Sequence, residues 1–107
     1  MTINLRAEGI ELTDAIRQYV EEKFNMLEKY ESRIVQIDVD LAMDSNHHQK
    51  GEIYSCSANV SVPGDMLRVE KREEDLYKAI DKVKDHLREI LTERKEKLRD
   101  SHRKSEE

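Results

Sequence analysis

Apolar and polar residues alternate along Thr2 to Glu8, with Ile3, Leu5 and Ala7 on one side and Asn4, Arg6 and Glu8 on the other. This is the pattern of a strand with one buried face. Gly9 then permits a turn. In ELTDAIRQYVEEKFNMLEKY the period lengthens: Ile16, Val20, Phe24 and Leu27 recur at helical spacing, with Thr13 as N-cap and Asp14 in the first turn. These features predict a first helix ending near Tyr30 or Glu31. Alternation returns in RIVQIDVDLA, where Val35, Ile37, Val39 and Leu41 face Gln36, Asp38 and Asp40 across the strand. MDSNHHQKG is expected to be a polar loop. EIYSCSANVSV turns Tyr54, Cys56, Ala58, Val60 and Val62 inward and Ser55, Ser57, Asn59 and Ser61 outward. Pro63, Gly64 and Asp65 form a tight turn, after which Leu67 and Val69 begin a short fourth strand that pairs back as a hairpin. From about Glu74 there is no glycine or proline, and Leu76, Ile80, Val83, Leu87, Ile90, Leu91 and Leu98 mark one stripe of a long second helix. That helix opens with DLYKAID, whose Leu76, Tyr77, Ala79 and Ile80 are expected to dock together on the sheet.

The predicted order is β-α-β-β-β-α, an α+β fold with a four-stranded sheet and two helices packed on one face. At 107 residues the chain is long enough for one domain with a modest core. We place that domain at residues 1–100. The tail DSHRKSEE has no apolar anchor and is expected to fray over residues 101–107.

With 40% charged and 36% hydrophobic residues and a formal net charge of -5, the chain departs from a generic basic nucleic-acid binder. The charge is unevenly spread. Residues 1–65 hold 6 Lys+Arg against 12 Asp+Glu, whereas residues 66–107 hold 13 against 12. Cations therefore gather in the C-terminal part, where phosphate can be met locally. MTINLRAEG has no secretory pattern, no stretch has the 18 or so apolar residues of a membrane helix, and Cys56 is the only cysteine. These features suit a cytoplasmic protein without a membrane anchor. The polar face of Ser55, Ser57, Asn59 and Ser61 predicts a free monomer.

Little in the sequence suggests catalysis. His47 and His48 lie near Asp44, but adjacent histidines diverge and no further ligand stands at metal spacing, so a solvated loop is expected. Asp38 and Asp40 share a strand face and suit solubility and edge protection better than acid–base work. Cys56 is expected to be a small core residue. No nucleophile–base arrangement or phosphate-cradling glycine loop is present, which argues against an enzyme or a bound cofactor.

The basic residues are the remaining candidates. At about 100° per residue, Lys84, Arg88, Lys95 and Arg99 fall together beside the apolar stripe of the second helix, with Asp85, Glu89, Glu93, Glu96 and Asp100 across from them. Such a row can track an RNA backbone. Taken alone, the pattern is more simply a solvated helix with i,i+4 pairs such as Glu74 with Lys78 and Glu93 with Lys97.

INLRAEGIELTDAIRQYVEEKFNMLEKY, PGDMLRVE and EDLYKAID, in this order and spacing, resemble the ribosome hibernation-promoting factor family, which includes the ribosome-associated inhibitor protein Y. The resemblance runs from about Thr2 to Leu98 and is to the short type, without the second domain by which long members pair ribosomes. It implies a stress or stationary-phase factor that enters the decoding region of the small ribosomal subunit, at the A and P sites. There it would contact ribosomal RNA, stop translation by occupancy and stabilise idle ribosomes. The implied RNA-contacting residues are Arg17, Lys23, Lys29, Lys82, His86, Arg88, Arg94, Lys95 and Lys97.

The chain departs from the family pattern at several of these positions. Met26 replaces a commonly basic residue, and His86, Glu89 with Ile90, and Glu93 stand where the family carries lysine, an arginine–glutamine pair and lysine. The footprint is therefore expected to weaken or to move toward Lys84, Arg88, Lys95 and Arg99. The rival reading is a protein-interaction module on the same fold, using the acidic flank of the second helix.

Overall fold

The computed structural model describes the backbone of residues 1–44, 51 and 53–106, and side chains as far as residue 99. The elements follow the order β1 Thr2–Glu8, α1 Asp14–Asn25, a 3-10 turn Met26–Lys29, β2 Gln36–Asp44, β3 Ile53–Val62, β4 Asp65–Glu73 and α2 Leu76–Glu106. The strands form one mixed sheet in the order β1-β2-β3-β4. β1 runs parallel to β2, from Thr2 opposite Gln36 to Glu8 opposite Ala42. A parallel pair needs a crossover, and α1 supplies it. The pairs β2–β3 and β3–β4 are antiparallel. α2 lies over β3 and β4, while α1 contacts β1 and α2, so both helices cover the same face.

Alternation decides which side chains that face buries. Ile37, Val39 and Leu41 of β2 meet Cys56, Ala58 and Val60 of β3, and Val20, Phe24, Leu27, Ile80, Val83, Leu87 and Leu91 close over them from the helices. Cys56 is buried in this layer, as expected, and burial, with a smaller contribution from Asp40, pushes its thiol pKa up to about 12.

The structure departs from the sequence pattern at seven places, one of them Ser57, expected on the open face of the sheet but buried. The apolar spacing of the first helix shortens from four residues to three between Phe24 and Leu27, and there the α-helix ends at Asn25 and tightens into a 3-10 turn. Val35 is 64% exposed because β2 begins one residue later and Ile34 takes the buried place. β4 is not short: its nine residues continue through Lys71 and Glu73 because ladder hydrogen bonds come from the backbone. Asp38 and Asp40 do not protect an edge, since β2 lies between β1 and β3. They instead bind across to β1, with Asn4 Nδ2 donating to Asp38 at 2.9 Å and Arg6 Nε to Asp40 at 2.9 Å.

The remaining two lie on α2. Leu98 is 50% exposed. The helix has 31 residues, about 46 Å at its normal rise, whereas strands of nine or ten residues reach only about 30–33 Å. Its stripe therefore outruns the sheet near Leu98. In DLYKAID, Leu76, Ala79 and Ile80 are buried but Tyr77 is exposed and turned toward α1.

Candidate nucleic-acid interface

Local capping sets the two helices that carry the basic side chains. Thr13 Oγ1 accepts from the Ile16 amide at 3.2 Å and starts α1. Asp75 starts α2, its carboxylate accepting from the Tyr77 amide at 2.8 Å and its carbonyl from the Ala79 amide at 3.1 Å. One helical turn then places Tyr19 with Lys23 on α1, and Tyr77 with Asp81 on α2.

These four residues form a seam. The Tyr19 hydroxyl donates to Asp81 Oδ1 at 2.6 Å, and Lys23 Nζ lies 3.8 Å from the same oxygen. Lys23 Nζ also stands 5.3 Å from the Tyr19 ring centroid. The Tyr19 and Tyr77 rings meet edge to face, with centroids 4.7 Å apart and planes at 82°. Burial, then the hydrogen bond to Asp81, pushes the Tyr19 pKa up to about 12.

A turn further along α2, Lys84 Nζ donates to Asp85 at 2.8 Å, and the Lys84 side chain is only 14% exposed. Hydrogen bonding from Lys84, partly opposed by burial and aided by the charges of Arg88 and Lys23, holds the Asp85 carboxyl below its usual range. Lys84 thus pairs directly with Asp85, while Arg88 and Lys23 add only to the field around it. Beyond them, Lys29 and Lys95 line one cleft with Glu28, Tyr30, Glu31, Ser32, Arg33 and Leu98. Within it Arg33 Nε binds Glu31 at 2.9 Å, and that hydrogen bond lowers the Glu31 pKa.

The nine basic positions expected from the sequence divide into separate groups. Lys23, Arg88, Lys29 and Lys95 lie along the α1–α2 seam. Arg17 points away from it, roughly 120° from Lys23 around α1. Lys82, His86 and Lys97 lie on the β4 side of α2, roughly 160° from the Arg88 row. Lys82 is paired there with Glu73, the Nδ1 of His86 is buried without a partner among the described residues, and Lys97 shares a groove with Asp65, Leu67, Ile90, Glu93, Arg94 and Leu98. Arg94 is tied to the β3–β4 turn, its Nη2 donating to the Pro63 carbonyl at 2.6 Å. Among the described residues, the ion pairs of α2 are Lys23–Asp81, Lys82–Glu73 and Lys84–Asp85, in place of the expected Glu74–Lys78 and Glu93–Lys97. Sequence inspection missed Tyr19, Tyr77 and Asp81, although the i,i+4 spacing of Tyr19 with Lys23 and of Tyr77 with Asp81 was an available signal. His47 and His48 lie outside the described residues, and among those described no cluster of His, Cys, Asp and Glu could hold a metal ion.

A seam between two helices that carries Lys23, Lys29, Arg88 and Lys95 defines a binding surface suited to an anionic partner. Comparison with known proteins gives the family of the chain. The model for the family described as Sigma 54 modulation protein / S30EA ribosomal protein matches residues 3–99. The ribosome hibernation promoting factor of Escherichia coli (strain K12) is 33% identical over 99 residues, covering 92% of this chain and 98% of that protein. The Azotobacter vinelandii factor of the same name is 35% identical over 97 residues, covering 91% and 85%. The N-terminal domain of Thermus thermophilus Protein Y superposes with a TM-score of 0.76 at 33% identity, covering 87% of this chain and 98% of that one. A ribosomal subunit interface protein from Coxiella burnetii gives a TM-score of 0.78 at 22% identity, over 89% and 98%, and shares the fold. The chain belongs to the Sigma 54 modulation protein / S30EA ribosomal protein family, together with the ribosome hibernation promoting factors.

Proposed function

We propose that this protein is a ribosome hibernation factor that binds the decoding region of the small ribosomal subunit at the A and P sites. It blocks translation by occupancy and stabilises idle ribosomes under stress or in stationary phase. Family membership supports the ribosome as partner. The observation that carries the contact surface is the placement of Lys23 and Arg88 along the α1–α2 seam, extended by Lys29 and Lys95. Phosphate contacts from such a row need no base reading, which suits folded ribosomal RNA. The net acidic charge is no obstacle, because exposed charges beyond about 10 Å are screened and the groove governs local affinity.

Co-sedimentation of the purified protein with small subunits across a salt series tests this. Saturable binding that weakens steeply with salt is the expected result. Replacing Lys23, Lys29, Arg88 and Lys95 together with glutamate is expected to abolish it. Unchanged binding by that variant would move the contact surface off the seam, and no binding by the wild type even at low salt would favour a protein partner on the acidic flank of Glu89, Glu93 and Glu96.

A further inference from the structure

From the aromatic end of the seam we infer that Tyr77 is a stacking platform for an unpaired nucleobase, a base-recognition element beyond the phosphate contacts of the basic row. The inference rests on the ribosomal RNA reading of the same seam.

The exposure of Tyr77 is the first observation. Leu76, Ala79 and Ile80, its neighbours in the same helical turn, are all buried, whereas Tyr77 is 39% exposed. The second is rigidity. The Tyr77 amide is held by Asp75, and its ring meets Tyr19 at a fixed 82°; Tyr19 is in turn fixed by Asp81 and carries the Lys23 ammonium over its ring. A ring immobilised before binding loses little freedom when a ligand covers it. The third is its neighbourhood. Lys23 lies one turn from Tyr19 at the same seam, and Arg88 follows further along α2 on the same helical flank. An aromatic face at the head of a cationic track is the combination with which proteins hold unpaired nucleic acid, the base stacking while the backbone follows the charges. A peptide partner fits less well, because a seam of lysine and arginine favours the more regularly anionic polymer.

The test compares Tyr77→Leu, Tyr77→Phe and Tyr77→Trp with the wild-type protein in binding to small ribosomal subunits across salt. Leucine keeps apolar packing on Tyr19 but has no flat π face. It is expected to weaken binding about tenfold, within the range of one base stack, with the salt slope unchanged because no cation is lost. Phenylalanine keeps the ring and is expected to bind within about twofold of wild type. The sequence has no tryptophan, so Tyr77→Trp adds a single indole. That variant is expected to retain affinity, and its fluorescence to be quenched on binding by the stacked base. Leucine binding as tightly as tyrosine would overturn the inference. So would an indole emission that shifts to the blue without quenching, which would place Tyr77 against a protein surface. In either case salt-dependent binding by the wild type leaves the proposed function standing, whereas its absence removes both. Thermal melts confirm that each variant is folded, and the two aromatic variants keep the inference testable if leucine loosens the seam.

Discussion

The Tyr19 hydroxyl on α1 donates a 2.6 Å hydrogen bond to the Asp81 carboxylate on α2, joining residues 62 apart in sequence at the point where the two helices meet. Among the described residues, this bond and the Lys23–Asp81 pair are the polar links between the two helices, and both bear on where Lys23 stands relative to α2. Tyr19→Phe removes the donor and keeps the ring. It is expected to lower stability by about 1 kcal/mol, the usual net contribution of a partly buried hydrogen bond. Denaturant melts of Tyr19→Phe, Asp81→Ala and the double variant check this: the two effects should be clearly non-additive, and additivity would mean that the bond contributes nothing.

The same tyrosine and the buried cysteine make the fold sensitive to alkali. Burial raises Tyr19 from 10.0 and Cys56 from 9.0, each to about 12. A raised folded-state pKa means that the folded protein holds the proton more tightly than the unfolded chain. Stability from these groups is therefore complete below pH 9 and is lost as pH rises toward 12. Urea midpoints should stay level from pH 7 to 9 and fall above that, with the fall starting nearer pH 10 in Cys56→Ala. Below pH 9 the thiol should resist alkylating reagents until the protein unfolds.

Two glycines with similar backbone angles should respond differently to alanine. Gly9 has φ 73° and Gly64 φ 78°, so both substitutions incur left-handed strain of about 1–2 kcal/mol. A Cβ at Gly9 would also come within 3.2 Å of the Met43 carbonyl oxygen, whereas at Gly64 nothing lies within 4 Å. Gly9→Ala should therefore be the more destabilising, and equal melting temperatures would show that β2 yields at Met43.

The stripe of α2 makes a similar contrast between residues that the sequence treats alike. Leu87 is fully buried, and its truncation to alanine should cost about 2–5 kcal/mol. Leu98 keeps the helical period but extends past the sheet, so Leu98→Ala should change stability by less than about 0.5 kcal/mol.

That contrast shows how much was legible in advance. Period-two and period-3.6 patterns located every strand and both helices, because burial against a single layer imposes them directly. Val35 and Leu98 were misplaced because a pattern gives the phase of an element but not where the neighbouring layer ends. The candidate site was legible only in part. Helical phase puts Lys84, Arg88 and Lys95 on one flank of α2, where Lys84 is held by Asp85 and Lys95 lines a cleft with Lys29. The link between Tyr19 and Asp81, the tether from Arg94 to Pro63 and the pairing of Lys82 with Glu73 depend on how α1 and β4 sit beside α2, which local spacing does not encode. Tyr77 was assigned to the core for the same reason: its position in an apolar turn conceals that it lies on the flank facing α1.

The two basic rows of α2 give the sharpest test of which surface meets RNA. Each phosphate contact to a folded RNA adds about 0.7–0.9 to the slope of log K against log salt. If the seam is the contact surface, Lys23→Gln with Arg88→Gln should flatten that slope by about 1.5 and weaken binding most at low salt. Lys82→Gln with Lys97→Gln should leave the slope nearly unchanged, since both lie on the far side of α2 from the seam and Lys82 is already paired with Glu73. Lys84 is left intact in both variants because its side chain is largely covered and neutralises Asp85, so its loss would mix folding with binding. The opposite result would move the contact surface to the β4 side of α2. Lys82 would then have to leave Glu73 on binding, and Glu73→Gln should tighten ribosome binding by freeing it.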